Sequence, residues 1–265
     1  MADTELFTAR SRPLAPLLGL YAWALFLALA VAVVPVLFAL RSLQRRRSLV
    51  RGVARTVLKL TRMRVRVRGI ERIVVPCVVV ANHESYLDGV VLQAVLPTSF
   101  SFVIKREMAS VPLAGTLLRR IGAEFVERQN RQRGARDARR LLRNAAQGQA
   151  LAFFPEGTFG DEVGLLRFHI GAFAAAARAQ LPVVPIAIRG TRACLPPNSI
   201  LPRPGAIEVE ILDAIAVPPA STTPEEFERA PKMRDAARAA LLAALQIPDL
   251  AARDSATDAP VDQHA

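Results

Sequence analysis

The chain has 265 residues, of which 52% are apolar and 22% are charged. This composition excludes an intrinsically disordered chain and gives enough apolar material for one domain with an additional anchor. The 2 cysteines, Cys77 and Cys194, are too few and too far apart for a disulfide framework or a zinc site, which favours a reducing compartment. The chain contains only 3 histidines, so we also expect no histidine-rich metal centre.

The net charge of +12 is concentrated in one segment. Residues 41–72 contain 11 arginines and Lys59 against a single acidic residue, Glu71. A protein that binds nucleic acid more often distributes its basic residues over a folded face, interleaved with aromatic residues that stack on bases. A basic segment directly beside an apolar run indicates instead that the partner is a membrane with anionic lipid, and no nucleic-acid partner is expected.

The apolar run from Pro13 to Leu40 contains no charged residue over its 28 positions. About 20 helical residues cross the hydrocarbon core of a bilayer, so this run is long enough to span it with a tilt. The run is too long for the apolar region of a signal peptide. Basic residues are denser on its carboxyl side, which predicts an inner-membrane anchor with the rest of the chain facing the cytoplasm. A buried or re-entrant helix is the alternative.

Short apolar runs alternate with helical patterns after the anchor. Strands are predicted at residues 63–67, 77–81, 101–104, 123–126, 151–154, 183–188 and 207–212, and helices at 89–95, 113–121, 134–147, 171–180 and 224–245. The first strand alternates apolar residues with arginines and is expected at a sheet edge, and Pro185 indicates an edge or a bulge for the sixth. This order predicts an α/β fold with a mixed sheet flanked by helices.

Three segments are predicted along the chain. Residues 1–58 form the membrane anchor and the basic segment that follows it, residues 59–246 form the main domain, and residues 247–265 form a disordered tail rich in alanine and aspartate.

A dense polar cluster follows the predicted strand 77–81, with the sequence Asn82-His-Glu-Ser-Tyr-Leu-Asp88. Reactive groups in open α/β sheets gather beyond the carboxyl ends of strands. Asp88 lies five residues after His83, so one turn of helix entry brings its carboxylate back towards the imidazole. A carboxylate on one ring nitrogen leaves the other nitrogen available as a general base. The alternative is a surface histidine beside an aspartate that caps a helix.

Two further polar segments follow predicted strands. Pro155 and Gly157 predict a turn from which Glu156 projects, and Thr158 is suited to capping a helix or binding a ligand. Arg128 follows the strand 123–126, and its planar guanidinium suits a phosphate, although it is also consistent with one solvated charge among many.

Together these segments resemble the lysophospholipid acyltransferase family, typified by bacterial 1-acylglycerol-3-phosphate acyltransferases. Over roughly residues 60–215, four motifs of that family are matched in order by the sequences NHESYLD, GAEFVER, FPEGT and VVPIAI. The resemblance implies that His83 removes the proton of an acceptor hydroxyl, which then attacks an acyl thioester, while Asp88 steadies the imidazolium. Such direct transfer needs no serine nucleophile, and the chain contains no G-x-S-x-G motif.

The resemblance also implies substrate-binding residues. The second and third motifs of the family bind the glycerol phosphate of the acceptor, which implicates Arg128, Glu156, Gly157 and the adjacent Thr158. Lys105 resembles a family lysine that follows the next strand, and it is a candidate phosphate or coenzyme contact or a plain surface lysine. No metal is expected, because no pair of cysteines or histidines has the spacing of metal ligands. No ATP or NAD cofactor is expected either, because no Walker or dinucleotide glycine motif is present.

The sequence departs from the family pattern at two cationic positions. Phe159 replaces the usual arginine after the third motif, and His169 replaces a frequent lysine further on. A phosphate monoester therefore loses two expected cations, and Arg167 is a candidate replacement. The expected acceptor is 1-acyl-glycerol-3-phosphate, and the alternatives are a lysophospholipid with another head group or a lyso-ornithine lipid.

These observations predict a membrane-associated acyltransferase of phospholipid biosynthesis. Its acyl donor would be acyl-CoA or acyl-carrier protein, and its acceptor a lysophospholipid. A non-catalytic module that binds anionic lipid would explain the anchor and the charge but not four ordered motifs at strand ends. A soluble thioester hydrolase is disfavoured, because water would have to compete with a lipid acceptor at the bilayer surface.

Overall fold

The computed structural model describes residues 15–127, 131–219 and 222–252. Within them the helices are α1 (Ala15–Ala39), α2 (Leu43–Leu60), α3 (Leu87–Val95), α4 (Ala114–Arg120), α5 (Arg131–Ala146), α6 (Gly171–Ala179), α7 (Thr191–Cys194) and α8 (Thr223–Leu245). The strands are β1 (Met63–Arg68), β2 (Val78–Ala81), β3 (Ser101–Lys105), β4 (Glu124–Val126), β5 (Leu151–Phe153), β6 (Val183–Arg189) and β7 (Gly205–Ile211). The α/β fold class predicted from the sequence is confirmed.

The seven strands form one sheet in the order β1-β7-β6-β2-β5-β3-β4. β2 runs parallel to both of its neighbours, with Val78 opposite Leu151 of β5 and Val183 of β6. An antiparallel bridge between Val183 and Ile215 makes the sheet mixed, as predicted. All four residues of β2 are fully buried, which explains why its sequence is a continuous apolar run. β1 lies at an edge of the sheet, as its alternating arginines predicted.

The prediction that Pro185 marks an edge strand is wrong, because β6 lies between β7 and β2, whereas the alternative of a bulge stays a prediction. The carbonyl of Pro185 accepts a hydrogen bond of 2.9 Å from the N–H of Leu212. In antiparallel pairing, the N–H and C=O groups of one residue face the same neighbouring strand. The N–H group that proline lacks would therefore face the residues just beyond Ile211, where β7 has already ended.

The chain divides into two compact units made of interleaved segments. The first unit contains the described residues of Met1–Arg68, Glu84–Phe125 and Ile188–Val209. In it, α2 packs against α1 and α3. The predicted boundary at residue 58 stays a prediction.

Helix α1 contains the one segment, Pro16–Ala39, that is long and apolar enough to cross a membrane among the described residues. Its mean hydropathy is 2.5, and Pro35 is accommodated without ending the helix. Near its start, the Nε1 atom of Trp23 donates a 2.7 Å hydrogen bond to the carbonyl of Ile200. Gly19 packs closely on Leu201, since a Cβ atom at Gly19 would lie 2.9 Å from the Leu201 Cβ. This end of α1 is therefore docked on the segment that precedes β7.

The second unit contains the described residues of Gly69–His83, Val126–Ala187 and Glu210–Ala265. Its core includes a stripe along α8 with a spacing of four residues, formed by the buried side chains of Met233, Ala237, Leu241 and Leu245. This helix packs against α6, which in turn contacts α5.

The chain stays ordered past the end of α8. The N–H of Leu165 donates to the carbonyl of Pro248 at 2.9 Å, and the N–H of Leu250 donates to the carbonyl of Leu165 at 3.1 Å. The prediction of a disordered tail from residue 247 is therefore wrong for residues 248–250, because these bonds and the burial of Leu250 hold them in place. Residues 253–265 of that predicted tail lie outside the described residues.

Candidate active site

His83 follows the buried strand β2, separated from it by the buried residue Asn82. Its backbone N–H donates a 2.7 Å hydrogen bond to Oε1 of Glu156, which follows β5. β2 and β5 are parallel neighbours, so their carboxyl ends meet at one edge of the sheet. The structure therefore brings together two of the predicted site residues, His83 and Glu156.

Glu156 holds two backbone segments at once. Its Oε1 atom accepts the bond from His83, and its Oε2 atom accepts a 2.8 Å bond from the N–H of Leu166. The residue is only 4% exposed, so the geometry makes its carboxylate a positioning group. The predicted contact between Glu156 and a substrate stays a prediction.

The turn that presents Glu156 depends on Gly157. The N–H of Gly157 donates to the carbonyl of Phe154 at 3.0 Å and closes the turn. Gly157 has a φ of +75°, a left-handed conformation that glycine adopts without the steric cost of a Cβ atom. The predicted turn after β5 is thus present, and glycine at this position is required by its backbone conformation.

Two aromatic rings flank the imidazole of His83. The ring of Phe154 is stacked on it with centroids 4.3 Å apart and an interplanar angle of 20°. The ring of Phe159 meets it edge to face, at 4.6 Å and 72°. These contacts restrict the orientation of the imidazole and cover parts of its surface with apolar atoms.

Asp88 is fully buried in the first turn of α3. Its Oδ2 atom accepts hydrogen bonds from the backbone N–H groups of Glu84 (2.7 Å) and Ser85 (2.8 Å). The carboxylate therefore fixes the turn that immediately follows His83 in the chain. Its predicted role in steadying the imidazolium stays a prediction.

Glu84 is an ionisable neighbour of this turn. Burial raises the pKa of the Glu84 carboxyl, and the negative charge of Asp88 raises it further, while Arg192 and Arg189 act in the opposite direction. Two acidic groups and two arginines therefore influence one another in this part of the first unit.

The other predicted site residues are less enclosed or not described. Lys105 is exposed at the end of β3, and Thr158 is exposed after the turn. Arg128 lies outside the described residues. The backbone N–H of His169 donates to the carbonyl of Pro155 at 2.9 Å, and His169 is exposed.

Residues 64–189 match the family model described as "Acyltransferase", and this range includes both the His83 loop and the Glu156 turn. These residues form an acyltransferase domain. The predicted resemblance is confirmed at the level of this family.

Curated relatives share the domain but are longer proteins. The 1-acyl-sn-glycerol-3-phosphate acyltransferase of Saccharomyces cerevisiae is 31% identical over 144 residues, which are 53% of this chain and 48% of that protein. The lysophospholipid acyltransferase LPCAT4 of Homo sapiens is 38% identical over 133 residues, which are 48% of this chain and 24% of that protein. The chain thus spans about half or less of the length of these relatives.

A solved structure supports the fold. The 1-acyl-sn-glycerophosphate (LPA) acyltransferase PlsC from Thermotoga maritima matches with a TM-score of 0.66 and 21% sequence identity. The match covers 86% of this chain and 96% of that chain. At this identity, the match establishes the common fold of the two proteins.

Several residues that support the acyltransferase domain are not evident from its motifs. The N–H of Glu127 donates a 3.0 Å bond to Oδ2 of Asp137, the only acidic residue of α5. Nη2 of Arg238 donates to the carbonyl of Leu165 at 3.2 Å, and Arg238 also forms an ion pair with Asp249. The position of Asp137 as the one acidic residue in a basic helix could have indicated a structural role. Nothing in the sequence connects residues 238 and 249 to residue 165.

The basic segment that follows the anchor was predicted to face anionic lipid, but part of it lies in the protein interior. Arg47 is buried, and its guanidinium donates to the carbonyls of Ile121 (2.9 Å), Thr98 (3.1 Å) and Ser99 (3.2 Å). Burial lowers the pKa of Arg47, and the charge of Glu124 partly offsets this effect. This arginine serves the interior of the first unit.

Three neighbouring arginines also donate to backbone carbonyls. Arg51 and Arg55 each reach the carboxyl end of α3 with a 2.8 Å bond, to Val95 and Ala94 respectively. Arg46 donates to the carbonyl of Leu40 at 2.8 Å. The expectation that this whole segment faces anionic lipid is therefore wrong for the buried Arg47, because its guanidinium completes the hydrogen bonding of the fold. For Arg46 and Arg51, which are half-buried, and for Arg55, which is exposed, it stays a prediction.

The cysteines have no nucleophilic character in this structure. Burial raises the pKa of Cys77 to about 12 and that of Cys194 to about 11, so both thiols stay protonated at neutral pH. Among the described residues, no group of three or more histidine, cysteine, aspartate or glutamate side chains is arranged to hold a metal ion.

Proposed function

We propose that the chain is a 1-acyl-sn-glycerol-3-phosphate acyltransferase, which transfers a fatty acyl group to the free hydroxyl of lysophosphatidic acid and forms phosphatidic acid. The observation that carries the proposal is the acyltransferase domain at residues 64–189, whose relatives include the yeast protein of that name. The hydrogen bond between His83 and Glu156 supports it, since it joins two of the predicted site motifs.

In this proposal His83 is the general base. Its imidazole removes the proton of the acceptor hydroxyl, and the hydroxyl oxygen forms the new ester bond with the carbonyl carbon of the acyl thioester. The carbon–sulfur bond breaks, and the imidazolium returns the proton to the departing thiolate. Asp88 steadies the imidazolium during this exchange, and Glu156 holds the backbone of His83 in place.

The donor is acyl-CoA or acyl-carrier protein, and Lys105 and Arg128 are the proposed cations for its phosphates or for the acceptor phosphate. Gly157 and Thr158 lie beside this proposed acceptor site. A second acceptor class, lysophospholipids with another head group, is favoured by Phe159, because its ring lies against His83 where a cation would suit a phosphate monoester. The human relative named lysophospholipid acyltransferase is consistent with this alternative.

We also propose that α1 anchors the enzyme in the inner membrane with the domain on the cytoplasmic side. Large apolar side chains along this helix are exposed, including Leu20, Leu27 and Val31 at 60%, 64% and 68%. Such a surface is stable in a lipid environment. An anchor keeps the enzyme beside its lipid substrate and product.

The test is an acyl-transfer assay with the full chain in micelles of a neutral detergent. Labelled oleoyl-CoA is offered with lysophosphatidic acid, lysophosphatidylcholine or lyso-ornithine lipid. We expect phosphatidic acid as the main product and a loss of about 1000-fold for His83→Ala, since general-base catalysis contributes about 10²- to 10⁴-fold. His169→Ala serves as the matched control, because this second histidine is exposed and should keep most of the activity.

The acceptor panel separates the candidate functions. Transfer to another lysolipid alone would retain the chemistry of His83 and reject lysophosphatidic acid as the acceptor. Assays with acyl-carrier protein in place of acyl-CoA identify the donor. No transfer from either donor would reject the enzyme and favour a non-catalytic module that binds lipid.

A further inference from the structure

The first unit contains a cavity of about 270 Å³ beside the candidate membrane anchor. It is lined by Leu18, Tyr21 and Ala22 of α1, by Leu60, Thr61, Arg62 and Met63 at the junction of α2 and β1, and by Pro202, Arg203 and Pro204 before β7. We call this space the anchor cavity. None of its lining residues belongs to the candidate active site.

Two arginines give the anchor cavity a positive charge. Arg62 and Arg203 both line it, and no described residue forms an ion pair or a hydrogen bond with either guanidinium group. The guanidinium of Arg47, in contrast, donates its hydrogen bonds to backbone carbonyls. Unpartnered guanidinium groups offer planar donor pairs that match the oxygens of a phosphate.

The surroundings of the anchor cavity are apolar. Leu17 and Leu20, on the same part of α1, are each 60% exposed, and Ile200, which precedes the lining prolines, is 77% exposed. A site that combines two cations with an exposed apolar helix matches an amphiphile with a negative head and a hydrocarbon tail. A soluble phosphate would use only the charged half of this surface.

We propose that the anchor cavity binds the phosphate head group of an anionic phospholipid from the surrounding bilayer. Arg62 and Arg203 hold the phosphate, and the acyl chains lie along the exposed residues of α1. The volume suits a head group with its glycerol rather than a whole lipid, since it is just below the roughly 300 Å³ at which pockets for drug-sized ligands begin. The proposal does not depend on the acyl-transfer reaction.

The single tryptophan of the chain is a reporter for this site. Trp23 follows the lining residue Ala22, and its indole is held by Ile200. Lipids brominated on their acyl chains quench tryptophan fluorescence on contact. The full chain in micelles of a neutral detergent is titrated with brominated phosphatidylglycerol or with brominated phosphatidylcholine. We expect the anionic lipid to quench Trp23 at a lower mole fraction, by about tenfold or more, because each arginine near an anionic lipid contributes about fivefold in affinity.

The decisive comparison is between two double variants with the same loss of charge. Arg62→Gln with Arg203→Gln removes both cavity arginines and should abolish the preference for phosphatidylglycerol. Arg64→Gln with Arg66→Gln removes two exposed arginines of β1 that do not line the cavity, and should keep it. Unchanged quenching by phosphatidylcholine in both variants serves as the control for intact folding around Trp23.

Two results would overturn the proposal. Equal losses in the two double variants would mean that the preference comes from the diffuse positive charge of residues 62–68. Release of phosphatidylglycerol by millimolar glycerol 3-phosphate, at constant ionic strength, would assign the two arginines to a soluble phosphate monoester instead.

Discussion

The loop after β2 and the basic helix α2 use charged side chains in opposite ways. At the loop, the carboxylates of Glu156 and Asp88 accept hydrogen bonds from backbone N–H groups, including that of His83. Along α2, Arg47, Arg51 and Arg55 donate to backbone carbonyls. In both regions the charge compensates for backbone groups that no strand or helix satisfies.

The two regions differ in which side chain remains available for a reaction or a ligand. At the loop, the imidazole of His83 lies against two aromatic rings, and its backbone N–H is held by Glu156. Along α2, the guanidinium of Arg47 is buried and donates to groups of the fold, whereas Arg55 keeps an exposed side chain. The buried carboxylates of the loop thus hold the backbone around a candidate reactive side chain, whereas the buried guanidinium of Arg47 supports the packing of the fold.

Among the substitutions that test this comparison, loss of the Glu156 carboxylate should have the largest effect. In Glu156→Gln the side-chain amide can accept from only one of the two N–H groups of His83 and Leu166, and its own N–H₂ opposes the other. We expect kcat to fall by about 100-fold with little change in KM, because a shift of about 1 Å in a catalytic group has a cost of this order. Steady-state acyl transfer in detergent micelles measures both constants.

The control for this experiment is Glu162→Gln, which changes an exposed glutamate of the same segment. It should leave kcat within about twofold of the wild type, as expected for a surface substitution. A rise in KM at constant kcat in Glu156→Gln would contradict a positioning role and indicate that the carboxylate binds substrate.

The same comparison makes a prediction about stability in α2. Arg47→Gln removes a buried charge's hydrogen bonds and leaves several carbonyls without this donor, among them those of the half-buried Ile121 and Thr98, and should lower the free energy of unfolding by about 3 kcal/mol. Arg45→Gln, the same change at an exposed position two residues earlier, should alter it by less than about 0.5 kcal/mol. Denaturant unfolding in neutral detergent measures both. Equal effects would show that the arginines of α2 act only through their net charge.

The sequence was sufficient to predict the strands that carry the site. The apolar run at residues 77–81 and the turn signal of Pro155 and Gly157 are local features, and local chemistry determines both structures. The family motifs also indicated His83 as the candidate base, a role that stays a prediction. Hydrophobic pattern and turn chemistry depend on near neighbours in the chain, so they could be interpreted without the fold.

Contacts between distant segments could not be predicted in this way. The partner of Arg47 is 74 residues away at Ile121, and Arg238 is separated from Leu165 by 73 residues. Whether an arginine faces solvent or a backbone carbonyl is determined by tertiary packing, which the charge pattern does not reveal. For the same reason, Pro185 was wrongly assigned to a sheet edge: its neighbours in the sheet, not its own chemistry, determine whether the missing N–H matters.

Substitution of Phe159 tests whether the aromatic rings around His83 keep water away from the imidazole. In Phe159→Ala the edge-to-face contact is lost and water gains access to the imidazole, so hydrolysis of the thioester should rise relative to transfer by about fivefold, the equivalent of about 1 kcal/mol for one aromatic contact. Phe159→Leu keeps an apolar side chain and should show a smaller change. Free fatty acid and esterified lipid, separated from one reaction, give the ratio. An unchanged ratio in both variants would mean that Phe159 does not control water at this site.

The smallest expected effect concerns the ion pair between Arg238 and Asp249, which supports the site from a distance. Nη1 of Arg238 donates to Oδ2 of Asp249 at 2.6 Å, and the hydrogen bonds from Arg238 lower the pKa of Asp249 to about 2. This folded pKa is below the value of about 3.8 for an unpaired aspartate, so the stabilisation is complete above that value and is lost as the pH falls from about 4 to about 2.

At pH 7, Asp249→Asn should therefore lower the melting temperature by about 2 to 4 °C, as expected for a partly exposed ion pair in a domain of this size. Near pH 2 the wild type carries a protonated Asp249, and the two melting temperatures should converge. Asp235→Asn, which removes a more exposed carboxylate from α8, is the matched control and should show no such convergence. A gap that persists at pH 2 would mean that the shape of the aspartate, not its charge, holds the segment 248–250 against Leu165. That result would place the support of the Glu156 turn in backbone hydrogen bonds alone, and would remove the ion pair from the structures that maintain the position of His83.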